Sequence, residues 1–443
     1  MDELPLLLPP EPEPPPPEPP ESQEKRRLAL AAGLVLLWGF FTLLAQFSGA
    51  LDTFEEPLLD WRQSLASYTA PPNDQLALIA IDTIPSDRPW PWSRLDYSLL
   101  LRSLIDYKPG SVVFEMSLND RDTQYSAFDD TFSHVIQRTD KVIFAASVLS
   151  RKSSAPIPAK MPVMAWQGSL RLVPRFGSAV WPLETFAGDS PVGVNNLESE
   201  SGQRLRRLPM IFLVGDRMIP SLVLQATATQ LGADLAASDI QIGRAIFLRR
   251  HDGKLLRTVP IDNEGRLRIR FHPGPVASWQ ASFDSIFLAD EQLQHNLATE
   301  TDLRALAKRQ VWVGRTDTGD HKNFNTAIGS LSRVEIQLQA ERTILDQDYV
   351  RPLPPMILAL LYLLIGTAIA AAMIKLGPVH AAAVVIILAA FWVESAVLAF
   401  RVYNVILPLP SLAMLLFGAY IVSLLASHWD LETEESDPVS VER

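Results

Sequence analysis

Four long apolar blocks are the most prominent pattern in the sequence. They cover residues 28–50, 354–374, 378–400 and 404–426, and they contain one acid, Glu394, but no lysine or arginine. A helix of about 20 such residues crosses the hydrocarbon core of a bilayer, which is roughly 30 Å thick. The pattern predicts four transmembrane helices, with the lipid bilayer as a partner.

The orientation of these helices follows from the basic residues beside the first block. Lys25, Arg26 and Arg27 precede it directly, and such clusters stay in the cytoplasm. A cleaved signal peptide is the competing interpretation, but the apolar core is longer than the ~7 to 15 residues of such peptides. We therefore expect a multi-pass protein of the bacterial cytoplasmic (inner) membrane, with residues 51–351 outside and both termini in the cytoplasm.

The two terminal segments have compositions that cannot bury a core. Residues 1–27 are rich in Pro and Glu and are expected to form a disordered cytoplasmic tail. Residues 427–443 are short and acidic and are expected to form a second cytoplasmic tail.

Between the first and second blocks, apolar runs alternate with amphipathic stretches. Leu76–Ile81, Ser111–Met116 and Lys141–Val148 have the character of buried strands, whereas Arg94–Tyr107 and Asp129–Arg138 have helical patterns. Strands separated by helices form parallel sheets with right-handed crossovers. The external domain is thus predicted to be α/β with a mainly parallel sheet.

Later segments of this domain are predicted individually, whereas the Pro-rich stretches between Ala155 and Pro191 have no clear pattern. The predictions are a hairpin around Gly215-Asp216, a helix from Pro220 to about Leu231, strands at Leu267–Phe271 and Gln310–Val313, and a helix at Arg333–Leu345.

Composition and charge then exclude several functions. The net charge is −11 and no basic patch stands out, so nucleic acid is not an expected partner. The chain has no cysteine, which excludes disulfides, thiolate metal sites and thiol nucleophiles. No nucleophile elbow of the Gly-x-Ser-x-Gly type is present, so we expect neither catalysis nor a bound cofactor.

The strongest candidate site lies at the ends of the predicted strands. Asp82 and Glu115 follow two buried runs, at the edge where α/β sheets usually bind ligands. Trp90 and Trp92 lie in the loop between the first strand and its helix, where rigid aromatic faces often contact ligands. The alternatives are that the acids cap the following segments and that the Trp pair is a packing plug.

Basic side chains near these residues belong to the same candidate site. Arg94 opens the first predicted helix, and Arg121 follows the second predicted strand. We therefore expect an unidentified small-molecule ligand at the edge formed by Asp82, Trp90, Trp92, Arg94 and Glu115.

A second candidate is the loop from Gly314 to His321. Its glycines are spaced as in a phosphate loop, but the Lys and Ser or Thr that grip phosphate and magnesium are missing. Asp317, Asp320 and His321 have side chains that suit a divalent metal ion. The alternative is a surface turn.

The acid in the third apolar block is a third candidate. Glu394 lies near the outer end of its helix, and acids inside transmembrane helices usually have a role. It is expected to serve coupling or oligomer contact, or to reach the interface by snorkelling. If Glu394 serves oligomer contact, the expected oligomer is a homodimer.

Several motifs together resemble the CHASE domain of the second type, a sensory extracellular domain associated with cyclases and histidine kinases. The similar segments are Ala80-Ile81-Asp82, Trp90-Pro91-Trp92-Ser93-Arg94, Val112-Val113-Phe114-Glu115, Ile219-Pro220-Ser221-Leu222 and Val311-Trp312-Val313-Gly314. The resemblance covers about residues 52–351. The family commonly has Asp where this chain has Glu115.

The resemblance implies a sensor, but the usual output domain is not expected here. Only 16 residues, His428–Arg443, follow the last apolar block, whereas a catalytic domain needs on the order of 100. We therefore expect a membrane-bound signal-input protein that acts through a separate kinase, cyclase or other cytoplasmic effector. The alternative is a non-signalling envelope scaffold or assembly protein that uses the same external domain.

Overall fold

The computed structural model describes residues 20–65, 71–122, 125–139, 141–151, 157–158, 160–188, 190–197, 204–317 and 323–434. The chain divides into two compact units. One contains Leu59–Arg351, and the other contains the described residues up to Leu58 and from Pro352 onward.

The helices are α1 (Pro20–Phe47), α2 (Asp52–Leu65), α3 (Arg94–Ile105), α4 (Ala127–Ile136), α5 (Glu184–Ala187), α6 (Leu222–Leu231), α7 (Phe283–Gln294), α8 (Arg333–Leu345), α9 (Pro355–Tyr403) and α10 (Leu409–Glu434).

The strands are β1 (Asn73–Ile81), β2 (Ser111–Ser117), β3 (Val142–Leu149), β4 (Ala165–Gln167), β5 (Arg175–Phe176), β6 (Ser178–Val180), β7 (Val192–Val194), β8 (Arg207–Pro209), β9 (Ile211–Val214), β10 (Arg217–Pro220), β11 (Asp234–Gln241), β12 (Ala245–Arg249), β13 (Leu255–Pro260), β14 (Arg266–Arg268), β15 (Ala277–Ser282), β16 (Gln310–Arg315), β17 (Phe324–Thr326), β18 (Gly329–Leu331), β19 (Arg351–Pro352) and β20 (Val405–Ile406).

The main sheet of the larger unit has the strand order β15-β1-β16-β2-β3-β6, and β7 also pairs with β3. All of these pairings are parallel except that of β6 with β3. The expected α/β domain with a mainly parallel sheet is confirmed. β16 lies between β1 and β2, an insertion that the local alternation of strands and helices does not reveal.

Both faces of this sheet are covered, which explains why its strands are continuous apolar runs. Alternate residues of β1 point to opposite sides: Leu76 and Leu78 join one core, and Ala77 and Ile79 join the other. Helices α6 and α8 supply the first core, whereas α3, α4 and α7 supply the second.

Smaller sheets complete the unit. The predicted hairpin is present as β9 and β10, and Gly215 between them has a φ of +59°, which glycine adopts without strain. A four-stranded sheet with the order β13-β12-β11-β4 was not predicted. Its strand β4 comes from the Pro-rich stretch that showed no pattern.

In the other unit, two stretches of α9 are long and apolar enough to cross a membrane, Pro355–Met373 and Pro378–Tyr403. The number becomes three if Ala32–Phe47 and Asp52–Leu65, which are bent by 74°, form one broken span. The apolar part of α10, Leu409–Val422, is shorter. Four spans therefore stay a prediction.

The chain reverses within α9. The rings of Tyr362 and Trp392 lie 6.3 Å apart, whereas a straight helix would separate residues at these positions by about 45 Å. The Tyr420 hydroxyl of α10 also donates to the Pro378 carbonyl at 3.3 Å. The two apolar stretches of α9 thus form a helical hairpin.

Candidate functional site

A cavity of about 320 Å³ lies in the larger unit, at the edge of the main sheet where β2 and β16 end. These neighbouring strands are parallel, so their carboxyl ends meet at the edge where α/β sheets usually bind ligands. The side chains on which its chemistry depends are Trp90, Arg94, Glu115, Arg121, Arg315 and Arg333.

The loop before α3 positions Arg94. Ser93 caps the helix by accepting a hydrogen bond from the Leu95 amide at 3.2 Å, and its hydroxyl donates to Asp122 at 2.9 Å. Arg94 then donates from Nη2 to the Asp120 carbonyl at 2.7 Å. The buried guanidinium is therefore held in one orientation at the cavity wall.

Arg315, at the end of β16, is held from two sides. It donates two hydrogen bonds to Asp317, at 2.8 and 2.7 Å, in the bidentate geometry that suits a guanidinium and a carboxylate. Its guanidinium also lies 4.8 Å from the centroid of the Trp90 ring, within the range of a cation–π contact. These contacts fix Arg315 and Trp90 against each other.

Glu115, near the end of β2, is the buried acid of the site, with 2% of its surface exposed. Its Oε1 lies 3.6 Å from Arg333 Nη1 and 3.4 Å from Asn195 Nδ2, and Asn195 also donates to its carbonyl at 2.6 Å. Burial raises the pKa of Glu115 to about 7, although Arg333 and Asn195 oppose the shift. Near neutral pH, the carboxyl group therefore populates both protonation states.

Arg333 reaches this site because α8 packs very closely on β16. A Cβ on Gly314 would lie 2.7 Å from the Val334 side chain and 3.2 Å from Glu115 Cβ, so only glycine fits there. Ser332 caps α8 in a capping box with Glu335, which fixes where the helix begins. The first residue of α8, Arg333, consequently lies beside Glu115.

The structure brings together three of the five predicted ligand contacts, Trp90, Arg94 and Glu115, and Arg121, which the sequence analysis assigned to the same site, also lines the cavity. Sequence reasoning missed Arg315 and Arg333. The strand-end rule that selected Glu115 applies equally to Arg315. Arg333 gave no comparable signal, because only tertiary packing brings the start of α8 to this edge.

The other two predicted contacts lie elsewhere. Asp82 is exposed and does not line the cavity. Trp92 is buried against Phe283, with ring centroids 4.9 Å apart, and its Nε1 donates to the Arg88 carbonyl at 2.9 Å. The position of Trp92 thus favours the packing plug over ligand contact.

Of the three residues predicted to bind a metal ion, the structure describes one, Asp317. Asp317 is engaged by Arg315, and Asp320 and His321 lie outside the described residues. Among the residues that are described, no group of three or more His, Asp and Glu side chains is arranged to hold a metal ion. The metal site stays a prediction.

Glu394 is exposed on the second apolar stretch of α9, and its coupling role also stays a prediction.

Comparison with known proteins agrees with the resemblance in the motifs. A search of curated proteins and a search of solved structures both found no match. The family model described as the CHASE2 domain matches residues 32–373 of the 443. CHASE2 domains are sensory extracellular domains and not catalytic ones. Since the match covers well over half of the sequence, the chain belongs to the CHASE2 domain family.

Proposed function

We propose that this protein is a membrane-bound sensor whose large unit binds a small molecule outside the cytoplasmic membrane and signals to a separate cytoplasmic partner. The observation that carries the proposal is the convergence of Arg94, Glu115 and Arg333 on one cavity. They come from three distant segments of a domain in a sensory family, and such convergence of charged groups on a cavity is typical of binding sites.

Helix α8 supplies a route from this cavity through the larger unit. Arg333 at its first position lines the cavity, and every residue from Ile336 to Leu345 is buried. A helix of this length spans about 20 Å. Because packed interiors move as rigid pieces and deform little, displacement of Arg333 by a ligand is expected to shift the whole helix. The chain then continues through Arg351 into α9.

The test combines a blocked cavity with a partner readout. A proximity-labelling enzyme fused after Arg443 would identify neighbours in native membranes. Ser117 lines the cavity, so Ser117→Trp fills it, whereas Ser330→Trp places the same ring on an exposed strand outside the lining. We expect a labelled cytoplasmic kinase, cyclase or other effector whose labelling changes at least twofold in Ser117→Trp and not in Ser330→Trp.

Two results would contradict the proposal. Labelling confined to proteins outside the membrane would reverse the orientation. If envelope-assembly proteins are labelled, and neither variant changes that labelling, the result would instead favour a non-signalling envelope scaffold. Ser117→Trp also removes the hydrogen bond between the hydroxyls of Ser117 and Ser147, which is 2.9 Å long. The control is therefore that both variants have the melting temperature of wild type in detergent.

A further inference from the structure

The geometry points to a small organic carboxylate as the ligand of the cavity: its carboxylate binds Arg333, and Glu115 takes up one proton as it binds. The inference rests on the proposed function, since it names the ligand class of the same site. Three features support it: the charge balance of the lining, the unused donors of Arg333, and the competition between two carboxyl groups for one guanidinium.

The charge balance separates Arg333 from two other cations of the lining, Arg94 and Arg315. Arg94 Nε lies 3.6 Å from Asp129, and Arg315 is bound by Asp317 in a bidentate pair. Each of these two guanidinium groups therefore already has a carboxylate outside the cavity lining. Their main effect on a ligand is a positive background potential.

Arg333 has donors left over. Its Nη1 lies 3.6 Å from Glu115, beyond the 2.7–2.9 Å of a charge-assisted hydrogen bond. Its Nε is buried and has no hydrogen-bond partner among the described residues. A buried donor left unpaired is destabilising, and a ligand acceptor within hydrogen-bond reach removes that cost. Because the carboxylate paired with it, Glu115, itself lines the cavity, Arg333 is a guanidinium that a ligand carboxylate in the cavity would share with Glu115.

The shape of the site selects a carboxylate among the oxyanions. A guanidinium presents a planar fork that matches the two oxygens of a carboxylate. A phosphate dianion would bring a second negative charge toward Glu115. A cavity of about 320 Å³ is at the small end of ligand sites, and Trp90 and Pro91 provide an apolar wall for a short carbon chain.

Glu115 supplies the coupling to protons. The charged groups that face it are Arg333 from α8 and Arg315 from β16, with the neutral amide of Asn195 on a third side. Two ionised carboxylates cannot share Arg333 without repulsion, so one of them takes a proton from water. Burial has already raised the pKa of Glu115 to about 7, whereas an ordinary ligand acid has a pKa of about 4, so Glu115 is protonated.

The sign of the pH dependence follows. An anionic ligand raises the pKa of Glu115 further, so binding takes up protons above the pKa of the free site. Affinity is expected to rise as the pH falls from about 8.5 toward 6, by at most about tenfold per pH unit, and then to level off. The variant Glu115→Gln, which mimics the protonated acid, should bind with little pH dependence.

The experiment uses the full chain in lipid nanodiscs and isothermal titration calorimetry. The probes are sodium acetate, lactate, succinate and glutarate, each compared with its neutral amide at matched ionic strength, and inorganic phosphate. At least one carboxylate should bind at least tenfold more tightly than its amide and than phosphate. Titrations in buffers of different ionisation enthalpy should show uptake of up to one proton at pH 8.

Variants assign the effect to the cavity. Arg333→Gln should weaken carboxylate binding at least tenfold, whereas Arg304→Gln, which removes an exposed arginine paired with Asp302, should not. Glu115→Gln should keep the binding and lose the proton uptake.

Three results would overturn the inference: no probe binds, an amide or phosphate binds as tightly as the carboxylates, or proton uptake persists in Glu115→Gln. None of these affects the labelling test of the sensor role, which requires no known ligand. Failure of the ligand class and failure of the sensor role are therefore distinguishable.

Discussion

The Trp312 indole donates a hydrogen bond to Glu341 at 2.6 Å inside the core between β16 and α8. Glu341 has no exposed surface, and the Thr227 hydroxyl donates to its other carboxylate oxygen at 3.5 Å. Burial raises the pKa of Glu341 to about 8, with the bonds to Trp312 and Thr227 opposing the shift. The folded protein therefore holds this acid mainly in its neutral form at pH 7.

Because the pKa of Glu341 is higher in the folded than in the unfolded chain, the folded state binds more protons between about pH 4.5 and 8. The stability that buried, protonated Glu341 allows is therefore fully present below about pH 4.5 and is lost as the pH rises to about 8. We expect Glu341→Gln to melt several degrees above wild type at pH 8, with the difference shrinking toward pH 5. Thermal melts across this range test the prediction, and a difference that is independent of pH would refute it.

Substitution of the two tryptophans should separate packing from ligand contact. Trp92 is buried against Phe283, so Trp92→Ala should cost on the order of 3 kcal/mol or more in the free energy of unfolding. Trp90 is only half-buried, so Trp90→Ala should lower the free energy of unfolding by less. It should also weaken the binding of any ligand beside Arg315, whose guanidinium lies against the Trp90 ring. Denaturant or thermal unfolding of both variants decides this. Equal stability losses would contradict the assignment of Trp92 to packing.

An ion pair in the larger unit should be unusually important for stability. Asp60, which is 1% exposed, accepts hydrogen bonds from Arg206 at 3.0 and 2.7 Å and from Arg204 at 3.3 Å. Removing one partner of a fully buried pair typically costs about 3–5 kcal/mol, and the cost here is expected to be smaller because the Arg206 and Arg204 side chains keep 20% and 52% of their surface exposed.

Asp60→Asn is therefore expected to lower the melting temperature clearly. The matched control is Asp239→Asn, because Asp239 pairs with Arg249 at 3.0 Å but is about half exposed, where such pairs contribute roughly 0–1 kcal/mol. Similar melting temperatures for the two variants would show that burial does not distinguish these pairs.

The orientation proposed for the chain can be tested directly. Gly253 lies in a turn between β12 and β13, where its φ is +83° and a Cβ added to it would meet no atom within 4 Å. Alkaline phosphatase inserted there should be active, because that enzyme needs the extracytoplasmic side, whereas a fusion after Arg443 should be inactive. Green fluorescent protein at the two sites should give the opposite result. Phosphatase activity only at Arg443 would reverse the orientation.

How much of this fold was predictable depended on whether the signal was local. Helix α8 has the bounds predicted for it, Arg333–Leu345, and the capping box of Ser332 and Glu335 that fixes its start in the structure is a local feature. The place of β16 between β1 and β2 was not predictable, since strand pairing across long separations leaves no local pattern.

The same distinction applies to the site. Glu115 was found because it is an acid near the carboxyl end of a buried strand, and such positions mark a sheet edge. Arg333 could not be found, because its approach to Glu115 depends on the contact of Gly314 with Val334. Trp92 was misleading for a related reason: its neighbour Phe283 is distant in the sequence, so burial of the ring was not visible there.

The central position of β16 constrains how the domain is made. During synthesis β1 and β2 emerge early, but the strand that joins them, Gln310–Arg315, follows only after the chain between β2 and β16 has been made. Until then, both strands expose unpaired edges, which are prone to aggregate. High contact order of this kind also slows folding. With the orientation proposed above, we therefore expect the nascent domain to depend on extracytoplasmic chaperones until β16 pairs with β1 and β2.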